Sequence, residues 1–412
     1  MSLITTGLGQ IYNGEFLRGF ILNIVLCLAA FLYSLRLYLD GRTDGLFFVV
    51  LMLVFLFLKV YSIGQAFVRS RQLGSAYTLR KYNKLYVYAV FTIIFLVLFI
   101  APGQIVKQHI LIDTSGTHPF RSAKARERYL RLYDREAQIW PIPSDIQMVD
   151  TSFGQTFVRI SGPAGAPPMV LIHGANATSL MWAPNIEVLS GNYRTYAPDN
   201  IYDLGRSVFT RKIKTPDDFV KWLDELFNAL KLEGRIILIG QSYGGWIVGQ
   251  YLLRHPDRLE KVVLLAPATT VLPFRFEFLE RGVLGSLPFR YFTRSMMFWV
   301  LDDLARKDEA SRRLVEDLAE NIFLGQQCFK PKQLVNPTVL TDQELHSIKV
   351  PALFLIGENE KIYSARKAIE RLNRVAPQIK AELIPNAGHG LTLTQAELVN
   401  RKILEFLRQP GQ

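Results

Sequence analysis

Hydrophobic residues are concentrated in the N-terminal quarter of the chain, in three long runs. These are Phe16–Leu39, Leu46–Ile63 and Leu85–Val106. Each is close to the roughly 20 residues that a helix needs to cross the hydrocarbon core of a bilayer. The alternative is three buried helices of a soluble bundle, but stretches such as 46–58 and 89–100 have no polar face. The pattern therefore predicts a membrane domain over residues 1–106 with three transmembrane helices.

The next segment, residues 107–145, is more polar and predicts a linker that carries one helix. Apolar residues recur at helical spacing over Ala125–Trp140, with many charged residues on the other sides. Packing of this helix on the following domain is the favoured interpretation, and contact of its basic residues with a lipid surface is the alternative. The apolar side is predicted to contain Tyr129, Leu132, Tyr133 and Ile139.

Beyond the linker, the spacing of apolar residues changes to that of a sheet. Two stretches with alternating polarity, Ile146–Thr151 and Gln155–Ser161, predict a hairpin. Short apolar runs then alternate with helical patterns, which predicts a mostly parallel sheet covered by helices. The predicted strands are Met169–His173, Arg194–Ala197, Arg235–Ile239, Lys261–Leu265, Ala352–Ile356 and Lys380–Ile384. The predicted helices are Ser179–Leu189, Pro216–Leu230, Tyr243–Arg254, Ala365–Val375 and Thr394–Arg408.

The alternation of strands and helices stops between Ala268 and Leu345. This segment is helical in pattern and rich in aromatic residues. It predicts a lid inserted at about residues 269–345 into a domain that spans 146–412. An aromatic insertion of this kind favours a lipophilic substrate.

The clearest chemical motif lies at the end of one predicted strand. The buried run Ile236–Ile239 leads into Gly240-Gln-Ser-Tyr-Gly244, and a helical pattern follows. Strand, tight turn and helix are the context in which G-x-S-x-G exposes a strained nucleophilic serine. A chance Gly-Ser-Gly turn is the alternative, and the flanking elements disfavour it. The motif predicts that Ser242 is a nucleophile.

Four motifs from about Ile146 to the C-terminus together resemble the α/β-hydrolase superfamily of serine esterases and lipases. They are His173-Gly174, Gly240–Gly244, Pro351–Gly357 and Asn386-Ala-Gly-His-Gly390. The resemblance implies an α/β fold of the α/β-hydrolase type. It also implies the chain order nucleophile, acid, base.

A serine hydroxyl is a weak nucleophile at neutral pH and needs a base within hydrogen-bond reach. Of the six histidines, His389 follows the last strand in a Gly-His-Gly turn and is the predicted base. The family places the orienting acid just after the strand that ends at Gly357, usually as aspartate. Here the sequence is Gly357-Glu-Asn-Glu360, so Glu360 is the predicted acid and Glu358 is its rival.

An oxyanion hole needs two N–H donors aimed at the charge that develops during acyl transfer. The resemblance assigns them to Tyr243, directly after the nucleophile, and to Ala175 in the His-Gly loop. The segment Asp199–Ser207 resembles a structural loop of the same family. Nothing in the sequence suggests a metal site, a phosphate loop or a cofactor. A serine at the elbow also argues against haloalkane and epoxide hydrolases, which carry aspartate there.

Charge adds information on partners and topology. The net charge is +12, and residues 1–106 hold half of it, with nine Lys and Arg against three Asp and Glu. Anionic lipid explains this excess better than nucleic acid, because apolar spans are present and nucleic-acid motifs are not. The two cysteines, Cys27 and Cys328, are not expected to pair.

The loops between the predicted spans differ in charge, which predicts the orientation in the membrane. The first loop, 40–45, is nearly neutral, whereas 64–84 carries five basic residues and no acidic one. The positive-inside rule places the second loop in the cytoplasm and the chain after Val106 outside. No removable signal peptide is predicted at the N-terminus. The run Gly7–Gly19 instead resembles the opening of small bacterial membrane modules.

Together these features predict a multi-pass membrane-anchored serine hydrolase that cleaves small, lipophilic carboxylic esters through an acyl-enzyme. Membrane lipids are the expected partners and nucleic acids are not. An aminopeptidase or lactonase of the same fold, or a binding protein that has lost the chemistry, remains an alternative. A transporter is disfavoured because the spans contain few charged residues.

Overall fold

The chain divides into two units, residues 1–113 with 331–333 and residues 114–330 with 334–412. The structure, a computed structural model, describes residues 119–409 apart from 288, 331 and 333, together with scattered residues between 15 and 72. The predicted spans Phe16–Leu39 and Leu46–Ile63 lie almost entirely outside the described residues, and Leu85–Val106 lies wholly outside them. Among the described residues, no helix combines the length and the hydropathy that a membrane crossing requires.

A nine-stranded sheet organises the described part of the chain. The strands are β1 Asp145–Thr151, β2 Gly154–Ser161, β3 Pro168–Ile172, β4 Arg194–Pro198, β5 Val208–Phe209, β6 Ile236–Gln241, β7 Leu259–Leu265, β8 Ala352–Gly357 and β9 Ile379–Ile384. Their order in the sheet is β1-β2-β4-β3-β6-β7-β8-β9, and β5 pairs with β2. The first two strands form the predicted antiparallel hairpin, and the strands from β4 through β3 to β9 are parallel.

The central parallel strands lie in the core. Every residue of β6 and β8 is buried, which explains why these strands have continuous apolar sequences rather than alternating ones. The helices are α1 Ala123–Glu136, α2 Ala183–Ser190, α3 Pro216–Ala229, α4 Tyr243–Arg254, α5 Phe276–Gly285, α6 Arg290–Val300, α7 Asp302–Lys307, α8 Glu309–Cys328, α9 Asp342–Ser347, α10 Ala365–Val375, α11 Leu391–Thr394 and α12 Ala396–Arg408.

The linker helix α1 packs on the hydrolase part, as the favoured interpretation predicted. Its Tyr129 ring lies 4.8 Å from the ring of Phe329, and its Tyr133 hydroxyl donates to Asp199 over 3.3 Å. The prediction was wrong for Ile139, which is 56% exposed. The α-helix ends at Glu136 and a 3-10 turn follows, so the helical spacing that would bury Ile139 no longer applies.

Two predicted helices are each divided in the structure. Ser179–Leu189 is a 3-10 turn, Ser179–Trp182, followed by α2. Pro184 in the first turn of α2 lacks the N–H that would continue the preceding turn. Thr394–Arg408 is interrupted at Gln395, whose φ of −129° and ψ of 43° are not helical. The remaining predicted elements from residue 145 onward agree with the structure to within two residues at each end.

A helical segment, α5 to α9, occupies the chain between β7 and β8, where the alternation was predicted to stop. Its helices are joined to one another by polar contacts as well as by packing. Arg294 on α6 forms an ion pair with Glu316 on α8 at 2.7 Å, and the Thr293 hydroxyl donates to Gln326 over 3.1 Å.

Candidate active site

Ser242 lies at a strained turn between β6 and α4. Its φ of 52° and ψ of −118° fall in a region that residues with a side chain rarely adopt. Backbone hydrogen bonds fix this conformation. The Ser242 N–H donates to Leu265 over 2.9 Å, and the Ser242 carbonyl accepts from Ala268 at 2.9 Å. A strained turn of this kind is the geometry expected where G-x-S-x-G joins a strand to a helix.

The two glycines of the motif allow this turn to approach the neighbouring strand. A Cβ on Gly244 would lie 2.3 Å from the carbonyl oxygen of Ile172 and 2.5 Å from that of His173. A Cβ on Gly240 would lie 2.4 Å from the carbonyl oxygen of Gly244. These neighbours are backbone atoms that cannot rotate away, so any side chain at either position would force the strand and the helix apart.

The structure brings Ser242, His389 and Glu360 into one hydrogen-bonded chain. Nε2 of His389 is 2.9 Å from the Ser242 hydroxyl, and Nδ1 is 2.8 Å from Glu360 Oε2. Each residue lies just beyond the carboxyl end of a parallel strand, namely β6, β9 and β8. Such ends meet at one edge of the sheet, which explains how residues far apart in sequence converge there.

The structure also separates the two carboxylates that were candidates for the acid. The Glu360 side chain has no exposed surface, and its second oxygen accepts from the N–H of Ile362 at 2.8 Å. Glu358 is exposed and its carboxylate is 3.5 Å from the N–H of Asn386. Only Glu360 contacts His389.

The loop after β3 lies against Ser242. A Cβ on Gly174 would be 3.2 Å from the Ser242 Cβ. The predicted donors Ala175 and Tyr243 directly follow Gly174 and Ser242 in the chain. Within the described residues, neither of their backbone N–H groups donates a hydrogen bond. Tyr243 opens α4, so its N–H also lies at the positive end of a helix dipole. Both groups are therefore available to an anionic oxygen.

His173 has a structural role in this loop. Its Nε2 accepts from the backbone N–H of Asn200 at 2.8 Å, so the proton is on Nδ1, which donates to the carbonyl of Gly174 at 2.8 Å. Both ring nitrogens are thus occupied, as expected for a residue that shapes the loop. Another histidine, His255, stacks on Tyr251 at 5.0 Å at the far end of α4. His109 and His118 lie outside the described residues.

Two residues that support the site, Gln241 and Asp203, were missed by sequence reasoning. Gln241 donates to the carbonyl of His389 over 3.1 Å and accepts from Thr392 at 2.7 Å. Asp203 accepts the N–H of Asn176 at 3.1 Å and so holds the loop that carries Ala175. Asp203 was within the segment Asp199–Ser207 that had been assigned only a structural role. Gln241 is a variable position of the motif, and no sequence signal marked it.

Two buried tyrosines beside the site are neutral hydrogen-bond donors. Burial raises the pKa of Tyr363 well above its ordinary value, and the nearby Glu360 charge raises it further. Its hydroxyl donates to the carbonyl of Pro267 over 2.8 Å. Burial likewise raises the pKa of Tyr243, whose hydroxyl donates to Val335 over 2.8 Å. Among the described residues no group of His, Cys, Asp and Glu side chains is arranged to hold a metal ion.

The fold and these residues define the class of protein. Residues 167–396 match the family model for the alpha/beta hydrolase fold. The chain belongs to the α/β-hydrolase family.

Similarity to individual proteins indicates the kind of reaction. The chain is 36% identical over 294 residues to carboxylesterase YbfK of Bacillus subtilis, which covers 70% of this chain and 96% of that protein. The crystal structure of that carboxylesterase superposes with a TM-score of 0.63 at 35% identity, over 69% of this chain and 99% of the other. The naproxen esterase of Bacillus subtilis gives 0.64 at 34% identity, over 70% and 100%. The protein is a hydrolase that acts on carboxylic esters.

Proposed function

We propose that the protein hydrolyses esters through a Ser242-His389-Glu360 triad and an acyl-enzyme. One observation carries the proposal. The two nitrogens of His389 contact the Ser242 hydroxyl at 2.9 Å and the buried Glu360 carboxylate at 2.8 Å. This arrangement gives the serine a base and gives the base an orienting acid. A binding protein without chemistry has no need of such an arrangement.

The reaction proceeds in two halves. Ser242 Oγ attacks the ester carbonyl carbon while His389 Nε2 takes its proton, and the C=O electron pair moves to the oxygen. Collapse of this tetrahedral intermediate breaks the bond to the alkoxy oxygen, which takes the proton from His389 and leaves as an alcohol. Water then attacks the acyl-enzyme with His389 as base, and the carboxylic acid departs as Ser242 regains its proton.

In this proposal the negative oxygen of each intermediate accepts from the N–H groups of Ala175 and Tyr243. Neither donor is engaged elsewhere among the described residues, so binding the oxyanion sacrifices no existing hydrogen bond. The contact of Asp203 with Asn176 keeps the Ala175 loop in place before substrate arrives. Donors that are already oriented stabilise developing charge without reorganisation.

The substrate class that fits best is an ester with an apolar acyl group. Phe274, Phe278, Phe298 and Trp299 of the segment between β7 and β8 pack against the core and supply aromatic surface. We assign this segment the role of a lid. A relative at 34% identity is a naproxen esterase, which is consistent with an apolar acyl group.

Labelling with a fluorophosphonate probe tests the nucleophile directly. The full-length protein is expected to form a covalent adduct, and mass spectrometry of peptides is expected to place it on Ser242, because only an activated serine attacks phosphorus rapidly. Prior incubation with a short-chain ester should slow the labelling. An adduct on another serine, or none in a protein that hydrolyses esters, would contradict the proposal.

We further propose that the apolar runs of residues 1–106 anchor the enzyme in a membrane and that the hydrolase faces the extracytoplasmic side. The basis is the charge contrast between loops 40–45 and 64–84. Moving a basic loop outward against the membrane potential costs roughly 2.3 kcal/mol per charge per 100 mV. Five unopposed charges in the second loop favour its retention in the cytoplasm.

Protease protection tests this orientation. Protease added to intact spheroplasts is expected to remove a C-terminal epitope tag, while a cytoplasmic marker survives until the membrane is lysed. Survival of the tag until lysis would place the hydrolase in the cytoplasm and overturn the topology. Recovery of the protein in the supernatant after ultracentrifugation would overturn the anchor itself.

A further inference from the structure

We propose that Asp303, on helix α7 of the segment between β7 and β8, is a positioning residue for His389. The inference rests on the function proposed for His389 and adds a residue from a distant part of the chain. Helix α7 and the turn that carries His389 are more than eighty residues apart in sequence, yet one carboxylate oxygen joins them.

The hydrogen bonds of Asp303 define the contact. Its Oδ2 accepts the backbone N–H of Gly388 at 2.6 Å and the hydroxyl of Thr394 at 2.8 Å. Gly388 immediately precedes His389, and Thr394 ends the helix α11 that follows it. The same oxygen therefore holds the His389 turn on both sides of the imidazole-bearing residue.

Packing at the same place leaves little freedom for the turn. A Cβ on Gly388 would lie 2.8 Å from Asp303 Oδ1, and a Cβ on Gly390 would lie 2.6 Å from Leu301 Cδ2. Both glycines that flank His389 are thus covered by the chain around the start of α7. The Gly-His-Gly sequence that marked the base also reflects this close approach.

A carboxylate suits this position because both groups that it meets are donors. The Gly388 N–H and the Thr394 hydroxyl point at one oxygen of Asp303. Without that oxygen the hydroxyl can still donate to the Gly390 carbonyl at 3.3 Å, but the Gly388 N–H loses its partner, which is costly in a half-buried site. Asparagine can place its amide oxygen there and keep both bonds, whereas alanine can keep neither. The two substitutions therefore separate hydrogen bonding by residue 303 from its negative charge.

Loss of the contact is expected to impair the chemical step more than substrate binding. His389 must lie within hydrogen-bond reach of Ser242, and a displacement of about 1 Å can lower a rate by about a hundredfold. Asp303→Ala is therefore expected to lower kcat, and the rate of fluorophosphonate inactivation, about tenfold or more, with KM little changed. Asp303→Asn is expected to retain most of both rates.

The neighbouring aspartate provides a matched control. Asp302, on the same helix, forms ion pairs with Lys361 at 2.9 Å and with Arg306 at 2.9 Å. Within the described part of the chain it forms no hydrogen bond or ion pair with the His389 turn. Asp302→Ala thus removes the same charge from the same helix and is expected to leave kcat near the wild-type value. Active sites are counted by probe titration and melting temperatures are compared, so that a loss of folded protein is not mistaken for slower chemistry.

Each result decides the inference. A wild-type kcat in Asp303→Ala would overturn it, as would equal losses in the Asp303→Ala and Asp303→Asn proteins. An equal loss in Asp302→Ala would show that the segment acts through general packing and would also overturn it. His389→Ala is measured in the same series. Activity in that variant would refute the proposed function, whereas an inactive His389→Ala with a fully active Asp303→Ala would refute only the role of Asp303.

Discussion

Replacement of Ser242 by alanine is expected to lower ester hydrolysis by about 10⁴-fold or more per folded molecule. The substitution removes the oxygen that His389 Nε2 contacts at 2.9 Å. Without this nucleophile the ester carbonyl is not attacked and no acyl-enzyme forms. The proposed oxyanion donors and the segment between β7 and β8 stay in place and are expected to leave a small residual rate. Hydrolysis of a short-chain ester and covalent probe labelling are the two measurements.

The fold should tolerate this change. Ser242 adopts its strained backbone because of contacts made by its N–H and carbonyl, and alanine keeps both groups. Ser347→Ala provides a control, since that hydroxyl donates to the backbone carbonyl of Glu344 at the exposed end of α9. Normal ester turnover in a folded Ser242→Ala protein would exclude the serine mechanism.

The parts of the site that directly follow a predicted strand could be predicted from local sequence. Helix α4 was predicted with its observed bounds because a buried strand, a Gly-x-Ser-x-Gly turn and a helical pattern follow one another there. His389 was predicted from its Gly-His-Gly turn after the last strand. These features depend on residues near one another in the chain, which is the range over which sequence patterns carry information.

The supporting contacts could not be predicted in the same way. The hydrogen bond between Asp203 and Asn176 depends on how two loops pack together. The hydrogen bond between Asp303 and Gly388 depends on where helix α7 packs against the His389 turn. An aspartate at either position is equally consistent with a solvated surface residue. The prediction for Ile139 failed for a related reason. The α-helix gives way to a 3-10 turn after Glu136, and no proline or glycine marks its end there.

The structure places Glu358 and Glu360, the two candidates that the sequence left open for the acid, in different surroundings. Both glutamates follow the same strand, and the family's usual aspartate is absent. In the structure the Glu360 carboxylate forms two hydrogen bonds, with the Ile362 N–H at 2.8 Å and with His389 Nδ1 at 2.8 Å. Both partners are donors when His389 carries its proton on Nδ1, which leaves Nε2 free to accept from Ser242.

Glu360→Gln is therefore expected to lower kcat by about 10⁴-fold, far more than Glu358→Gln. A glutamine amide oxygen that accepts from Ile362 directs the NH₂ group at His389 Nδ1. This donor drives the imidazole proton to Nε2, where it blocks proton transfer from Ser242. Rotation of the amide instead opposes the NH₂ group to the Ile362 N–H, so neither orientation keeps both contacts while the imidazole proton stays on Nδ1. Glu358 is exposed and contacts no catalytic residue, so its substitution should leave kcat within a few-fold of wild type. Steady-state kinetics with one short-chain ester compares the two, and a greater loss in Glu358→Gln would move the acid by two residues and refute the assignment.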